Sequence, residues 1–155
     1  MDLIFREAVA ADLTPIINML ASDSLGKQRE VAADTSDQLD PAYLAAFEEI
    51  NKDPNNKLVV VECEGQLAGI LQITFIPYLT YIGSWRCLIE GVRVHEDFRG
   101  KGLGTRFFEW AIEQAREKDC KIVQLTSDKR RADAIRFYEQ LGFKATHEGF
   151  KLHLR

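Results

Sequence analysis

The residues best suited to chemistry in this sequence are Arg99-Gly100-Lys101-Gly102-Leu103-Gly104, followed by Thr105. Glycine at alternate positions lets the backbone curl, so that successive N–H groups point into one concavity. An amphipathic stretch begins at Leu103, so the loop also opens a helix. The first N–H groups of that helix are unpaired, and its dipole is positive at this end. Arg99 and Lys101 add local positive charge. The combination suits a diphosphate. The spacing G-x-G-x-G differs from the G-x-G-x-x-G of dinucleotide folds and from the G-x-x-x-x-G-K-[ST] of nucleoside-triphosphate loops. Taken alone, the glycines are equally well read as a tight strand-to-helix connection that binds nothing.

A second motif lies 35 residues downstream of Arg99: Ala134-Ile135-Arg136-Phe137-Tyr138-Glu139-Gln140-Leu141-Gly142-Phe143. With both motifs present, the sequence resembles the Gcn5-related N-acetyltransferase family. Arg99, Gly102 and Gly104 meet its R-x-x-G-x-G/A signature. Ala134, Phe137, Tyr138, Gly142 and Phe143 meet its A-x-x-F-Y-x-x-x-G-F signature. The resemblance covers essentially the whole chain. It implies an α/β fold with a mixed sheet of about seven strands and four helices on its faces, in one domain over residues 1–155. It also implies acetyl-CoA as cosubstrate, no metal, and direct acetyl transfer to a primary amine.

The resemblance also implies residue roles. The strand Val92-Arg93-Val94 is expected to splay from its neighbour and pair with the pantetheine arm. The pyrophosphate is expected on the amides from Arg99 to Thr105. Tyr138 is expected near the CoA sulfur, where a donor helps as charge builds on the leaving thiolate. The competing reading makes Tyr138 a core aromatic on the helical face of Phe137 and Leu141. A backbone N–H on the splayed strand, that of Val92, is placed to polarise the acetyl carbonyl.

A base must take the proton of the ammonium, and Glu90 is the first candidate. It stands two residues before Val92, so strict alternation predicts both on one face of the strand. The competing role for Glu90 is a salt bridge to Arg86 or Arg93. His95 is a second candidate base, closer to the loop. Thr126-Ser127-Asp128 stands where many family members carry an asparagine; Ser127 or Asp128 either replaces it or caps the next helix. Lys129, Arg130, Arg131 and Arg136 form either a CoA-phosphate contact or a solvated basic face. Ser24-Leu25-Gly26-Lys27 matches S-x-x-K without its partner motifs, which reads as chance.

The elements that must hold these residues follow from hydrophobic periodicity. Leu3 to Arg6 reads as a strand. Leu13, Ile16, Ile17 and Leu20 make a helix face. Residues 22–39 are polar and read as a loop. Asp40-Pro41 is an N-cap and N1 pair opening a second helix through Tyr43, Phe47 and Ile50. Leu58 to Cys63 and Leu67 to Ile76 form a hairpin about Glu64-Gly65. Trp85 to Val94 is a third long strand, and the helix from 102 to 118 buries Leu103, Phe107, Trp110, Ala111 and Ala115. Ile122 to Leu125 is a strand, Ala134 to Leu141 a helix closed by Gly142, and Phe143 to Arg155 two short closing strands. Strands both adjacent and separated by helices predict a mixed sheet covered by helices. The loops at 77–81 and 22–39 are expected to border the acceptor pocket.

Composition narrows the partners. The apolar content is 46% and the charged content 28%, the balance of a globular domain. A net charge of −4 with no basic block argues against nucleic acid as the main partner. Cys63, Cys87 and Cys120 form no C-x-x-C pair, and His95, His147 and His153 have no metal-ligand spacing. No basic-then-apolar leader opens the sequence and no apolar run has the length of a membrane span, so no membrane partner is expected and the cytoplasm is the expected compartment. The run from Thr126 to Tyr138 is similar to that of small-molecule acetyltransferases, aminoalkylphosphonate N-acetyltransferases among them, so a small-molecule amine is the expected acceptor, with a protein lysine, an N-terminal amine or an aminoglycoside as the alternatives. A homodimer is expected from the family. A non-catalytic acyl-CoA sensor is the alternative reading of the same cleft.

Overall fold

Runs of β-branched and aliphatic residues build a sheet that is buried on both faces along Val59–Val61 and Ala68–Leu71, and three amphipathic helices cover it. The computed structural model describes residues 1–22, 25–26, 29–33, 38–131 and 133–155. These fall into two units, Met1–Gln124 and Leu125–Arg155.

The first unit contains strands β1 (Leu3–Glu7), β2 (Asn56–Cys63), β3 (Gln66–Pro77), β4 (Trp85–Val94) and β5 (Ile122–Gln124). Their order in the sheet is the order of the chain. The first four pair antiparallel, and β5 runs parallel to β4. Helices α1 (Leu13–Ala21), α2 (Pro41–Lys52) and α3 (Leu103–Glu117) complete the unit. Asp40 caps α2 by accepting the Ala42 N–H at 2.9 Å, with Pro41 at the first helical position. Glu64 and Gly65 both have left-handed φ, 52° and 77°, as a two-residue hairpin turn of the primed type requires.

Each face of the sheet has its own core. On one face Val60 and Ile70 pack with Leu13, Ile16 and Met19 of α1 and Phe47 of α2. On the other, Phe107 of α3 lies so close over Gly69 that there is no room for a Cβ, which would also meet the Arg93 carbonyl at 2.6 Å. Phe5 stacks on Trp110, with ring centroids 4.7 Å apart. The buried stripe of α3 is Leu103, Phe107, Phe108, Ala111 and Ala115. Phe108 therefore takes the fully buried place expected for Trp110, which is only half-buried.

The second unit holds α4 (Ala134–Gln140). Its end is a Schellman motif: Phe143 N–H donates to Tyr138 O and Gly142 N–H to Glu139 O, both at 3.0 Å. Gly142 takes φ 100°, and the Tyr138 and Phe143 rings meet at 6.2 Å. The two closing strands expected over Phe143–Arg155 are not formed, so the described residues contain five strands rather than about seven. Phe150, Leu152 and Leu154 alternate as a strand would but are 94%, 87% and 88% exposed. Alternation specifies which side chains share a face; it does not supply the neighbouring edge that a ladder needs.

Candidate active site

The glycine loop is positioned from both ends. After β4, His95 Nδ1 accepts the Asp97 N–H at 3.2 Å and caps a short 3-10 turn, Glu96–Phe98. Phe98 is only 9% exposed and anchors that turn. Arg99 Nε donates to Val94 O at 3.2 Å, tying the loop back to the strand end. Gly100 and Gly102 then adopt left-handed φ of 77° and 73°, and Gly102 is the N-cap of α3. Gly104 lies inside the first turn and needs no such freedom. The N–H groups of Leu103, Gly104 and Thr105 precede the first helical bond, Arg106 N–H to Gly102 O at 3.5 Å. A Cβ built on Gly100 or Gly102 would meet nothing within 4 Å, so both glycines border open space. Lys101 Nζ stands 5.6 Å from the Phe98 ring centroid. Backbone donors opening a helix with cations at the rim form an arrangement whose chemistry suits an anion.

The strand leading into the loop is irregular on both edges. Its parallel ladder with β5 consists of Arg86–Ile122, Cys87–Val123 and Leu88–Gln124. Beyond Leu88, β4 pairs only with β3 among the described residues. On the β3 side, Gln72 opposes Glu90 and Ile70 opposes Arg93. Gly91 and Val92 together therefore face the single residue Leu71, a β-bulge with Gly91 at φ 63°. The expectation that Glu90 and Val92 share a face is corrected by this bulge. One extra residue shifts the alternation, so Glu90 shares its face with Arg93, while Val92 shares the other with Val94. The Glu90 side chain is exposed, and no ion pair or side-chain hydrogen bond joins it to Arg86 or to another described residue.

The face that carries Glu90 is apolar beneath α1 and α2, and Ile76 and Leu88 also lie on it. Further along it becomes a polar band made of Asn56, Gln72, Thr74, Arg86 and Gln124 beside Glu90. Gln72 Nε2 and Thr74 Oγ1 donate to Asn56 Oδ1 at 2.9 and 3.3 Å. Arg86 donates to Gln124 Oε1 at 3.1 Å and to Thr80 Oγ1 at 2.8 Å. Sequence reasoning missed this band. Its signal is Gln72 and Thr74 alternating with Leu71 and Ile73, and Arg86 and Glu90 on either side of Leu88, a mixed pattern that ordinarily marks a solvent face. The loop at 77–84 flanks the band. Within it Tyr81, Ile82 and Gly83 are consecutive left-handed residues, a costly conformation for β-branched Ile82.

The second unit carries the other candidates. Tyr138 is half-buried between the rings of Phe137 and Phe143, so its aromatic body has a packing role whatever its hydroxyl does. Asp128 accepts the Arg130 N–H at 2.9 Å. It caps a turn rather than α4, whose N-cap is Asp133. Arg130 holds the Asp128 carboxyl well below the usual carboxylate range. Ser127 Oγ is buried, with no hydrogen-bond partner among the described residues. Lys129 pairs with Glu148 at 3.0 Å, and Arg136 is exposed. Ser24 and Lys27 of the S-x-x-K match lie outside the described residues.

The same residues identify the family. The model of the Acetyltransferase (GNAT) family matches residues 24–143, which include the glycine loop and the Phe137-Tyr138 motif. The chain belongs to the GNAT family. This GNAT chain is 29% identical over 98 residues to an aminoalkylphosphonate N-acetyltransferase of Salmonella typhimurium, covering 63% of each chain. It is 28% identical over 102 residues to a spermidine N(1)-acetyltransferase of Escherichia coli, covering 65% of this chain and 51% of that one. The matched part thus spans about half to two thirds of the length of these relatives. Among solved structures, a protein of Bacillus halodurans described as a transcriptional regulator is 52% identical, with a TM-score of 0.93 over 99% of this chain and 100% of that one.

Proposed function

We propose that this GNAT chain is an acetyl-CoA-dependent N-acetyltransferase acting on a primary amine of a small molecule, with residues 1–155 as one catalytic domain. The observation that carries the reading is the loop Arg99–Thr105, two left-handed glycines opening a helix at the end of a strand whose ladder with β5 stops short. The amides of Arg99, Gly100, Lys101, Gly102, Leu103, Gly104 and Thr105 hold the pyrophosphate. The β5-side edge of Val92, Arg93 and Val94, beyond the end of the β5 ladder, holds the pantetheine arm. Acetyl-CoA supplies the activated thioester. Glu90 takes a proton from the acceptor ammonium, directly or through water. The Val92 N–H, at the bulge of β4, stabilises negative charge on the carbonyl oxygen. Tyr138 protonates the departing sulfur. Holding both substrates in one cleft accounts for much of the rate. No metal takes part.

The test is release of CoA from acetyl-CoA across a library of amines. Turnover on a small amine supports the reading, and CoA binding with no turnover on any amine overturns it. That second outcome would favour a non-catalytic acyl-CoA sensor, a reading supported by the description of the 52%-identical relative as a transcriptional regulator.

Two further parts of the reading concern the setting. The free, buried thiols of Cys63 and Cys87 fit a reducing compartment, the cytoplasm. The exposed, alternating Phe150, Leu152 and Leu154 fit association of two copies through the C-terminal segment, because a strand-like apolar face left in water seeks a partner.

A further inference from the structure

The guanidinium of Arg86 stands among neutral partners. Its two terminal nitrogens donate to the side-chain oxygens of Gln124 and Thr80. Its flat faces meet the rings of Tyr78 and Tyr81, with Cζ 4.1 and 5.4 Å from their centroids. Its Nε is buried, with no hydrogen-bond partner among the described residues. Among the described residues Arg86 makes no ion pair, in a chain with 24 acidic residues against 20 Lys and Arg. A half-buried cation ordinarily acquires a carboxylate or moves into water. This one is instead held in place by aromatic faces and neutral oxygens, with donor capacity left over.

Arg86 also shares its face of β4 with Glu90. Four residues of strand separate them, about 13 Å between Cα atoms. Leu88 stands between them on that face, and the half-buried polar residues Gln72 and Thr74 lie opposite on β3.

We infer that Arg86 binds an anionic group of the acceptor, so that the acceptor is an amine carrying a carboxylate or phosphonate at the far end of a spacer. The guanidinium fork suits either anion, since both present paired oxygens to paired N–H donors. The amine lies at Glu90 and the anion at Arg86, so α-amino acids are too short to bridge the two. Tyr78 and Tyr81 are positioning residues that keep the fork flat and at fixed height. This inference rests on the transferase reading only for the position of the amine; binding of the anion does not require turnover.

The test therefore has two readouts. In kinetics, ω-amino carboxylates and ω-aminoalkylphosphonates of graded chain length are compared with neutral alkylamines of the same lengths. Arg86→Gln is expected to raise KM for the anionic amines about tenfold or more, the size of one lost charge-assisted contact. The kcat and the KM for neutral amines are expected to hold. Equal effects on both classes, or none, would overturn the inference. In calorimetry, the CoA-loaded protein is titrated with an alkyl carboxylate and an alkylphosphonate that carry no amine. Wild-type binding that Arg86→Gln abolishes supports the inference, and the tighter of the two ligands identifies the anion; failure of wild type to bind either sinks it. If anion binding depends on Arg86 while no amine is turned over, the transferase reading fails and the anion site stands. Arg86→Lys keeps the charge and loses the fork. It is expected to fold even if Arg86→Gln does not and to raise KM for the anionic amines alone, and the inference falls if neutral amines lose as much.

Discussion

Arg6 shows how much one side chain organises here. It donates to both carboxylate oxygens of Asp12, at 2.8 and 3.0 Å, and to Glu62 at 2.9 Å. Asp12 also accepts the Val9 N–H at 2.7 Å. The hydrogen bonds from Arg6 hold the Asp12 carboxyl below its ordinary value of 3.8. A lowered carboxyl contributes its full stability above the unfolded value and loses it as pH falls through the folded one. Asp12→Asn is therefore expected to cost about 1 kcal/mol at neutral pH, given the partial exposure of Arg6. Thermal melts should show that difference shrinking as pH falls below 3.8. Tyr138 carries the other prediction at this scale. Tyr138→Phe keeps the ring contacts with Phe137 and Phe143 and removes only the hydroxyl. Turnover is expected to fall about tenfold or more, in the range of general-acid effects, with CoA affinity nearly intact. Unchanged turnover would return Tyr138 to a purely packing role.

At the scale of the element, the backbone of the glycine loop matters more than its side chains. Gly102 combines a left-handed φ with open space where a Cβ would point. Gly102→Glu is expected to abolish CoA binding, because it strains the N-cap and puts a carboxylate at the proposed pyrophosphate site; retained micromolar affinity in a titration would remove the loop assignment. Gly69 is constrained differently. Its φ is ordinary, and the limit is the Phe107 ring and the Arg93 carbonyl. Gly69→Ala is expected to destabilise the first unit by about 1–3 kcal/mol, as overpacking does. Denaturant midpoints would measure it, and a stability equal to wild type would mean that α3 shifts freely on the sheet.

For the whole molecule, the C-terminal segment is the least satisfied part. Substituting Leu152→Glu and Leu154→Glu together is nearly neutral if these side chains remain in water, as isolated surface changes usually are. If two copies cover them, the charges are buried against a partner and association is lost. The expected outcome by light scattering is a wild-type dimer and a monomeric double variant. Equal masses for the two proteins would remove the segment from any interface.

Most elements of the first unit were legible because their signals are local. The Asp40-Pro41 start, the Glu64-Gly65 turn and the i, i+3, i+4 face of α1 each depend on residues a few positions apart, as does the opening of a helix after Gly102. The geometry of the glycine loop was legible for the same reason: consecutive residues make it, and Gly100 and Gly102 supply its left-handed φ. Tertiary structure alone decided what depends on pairing between distant segments. The bulge at Gly91-Val92 arises from register against Leu71, so Glu90 turns away from Val92 although alternation puts them together. The polar band collects Asn56, Gln72, Arg86 and Gln124 from four strands, and in each strand the polar residue looks like ordinary surface. The strand pattern of Phe150, Leu152 and Leu154 is plain in the sequence, yet a strand also needs a partner's edge, and period-2 alternation carries no information about where that edge is.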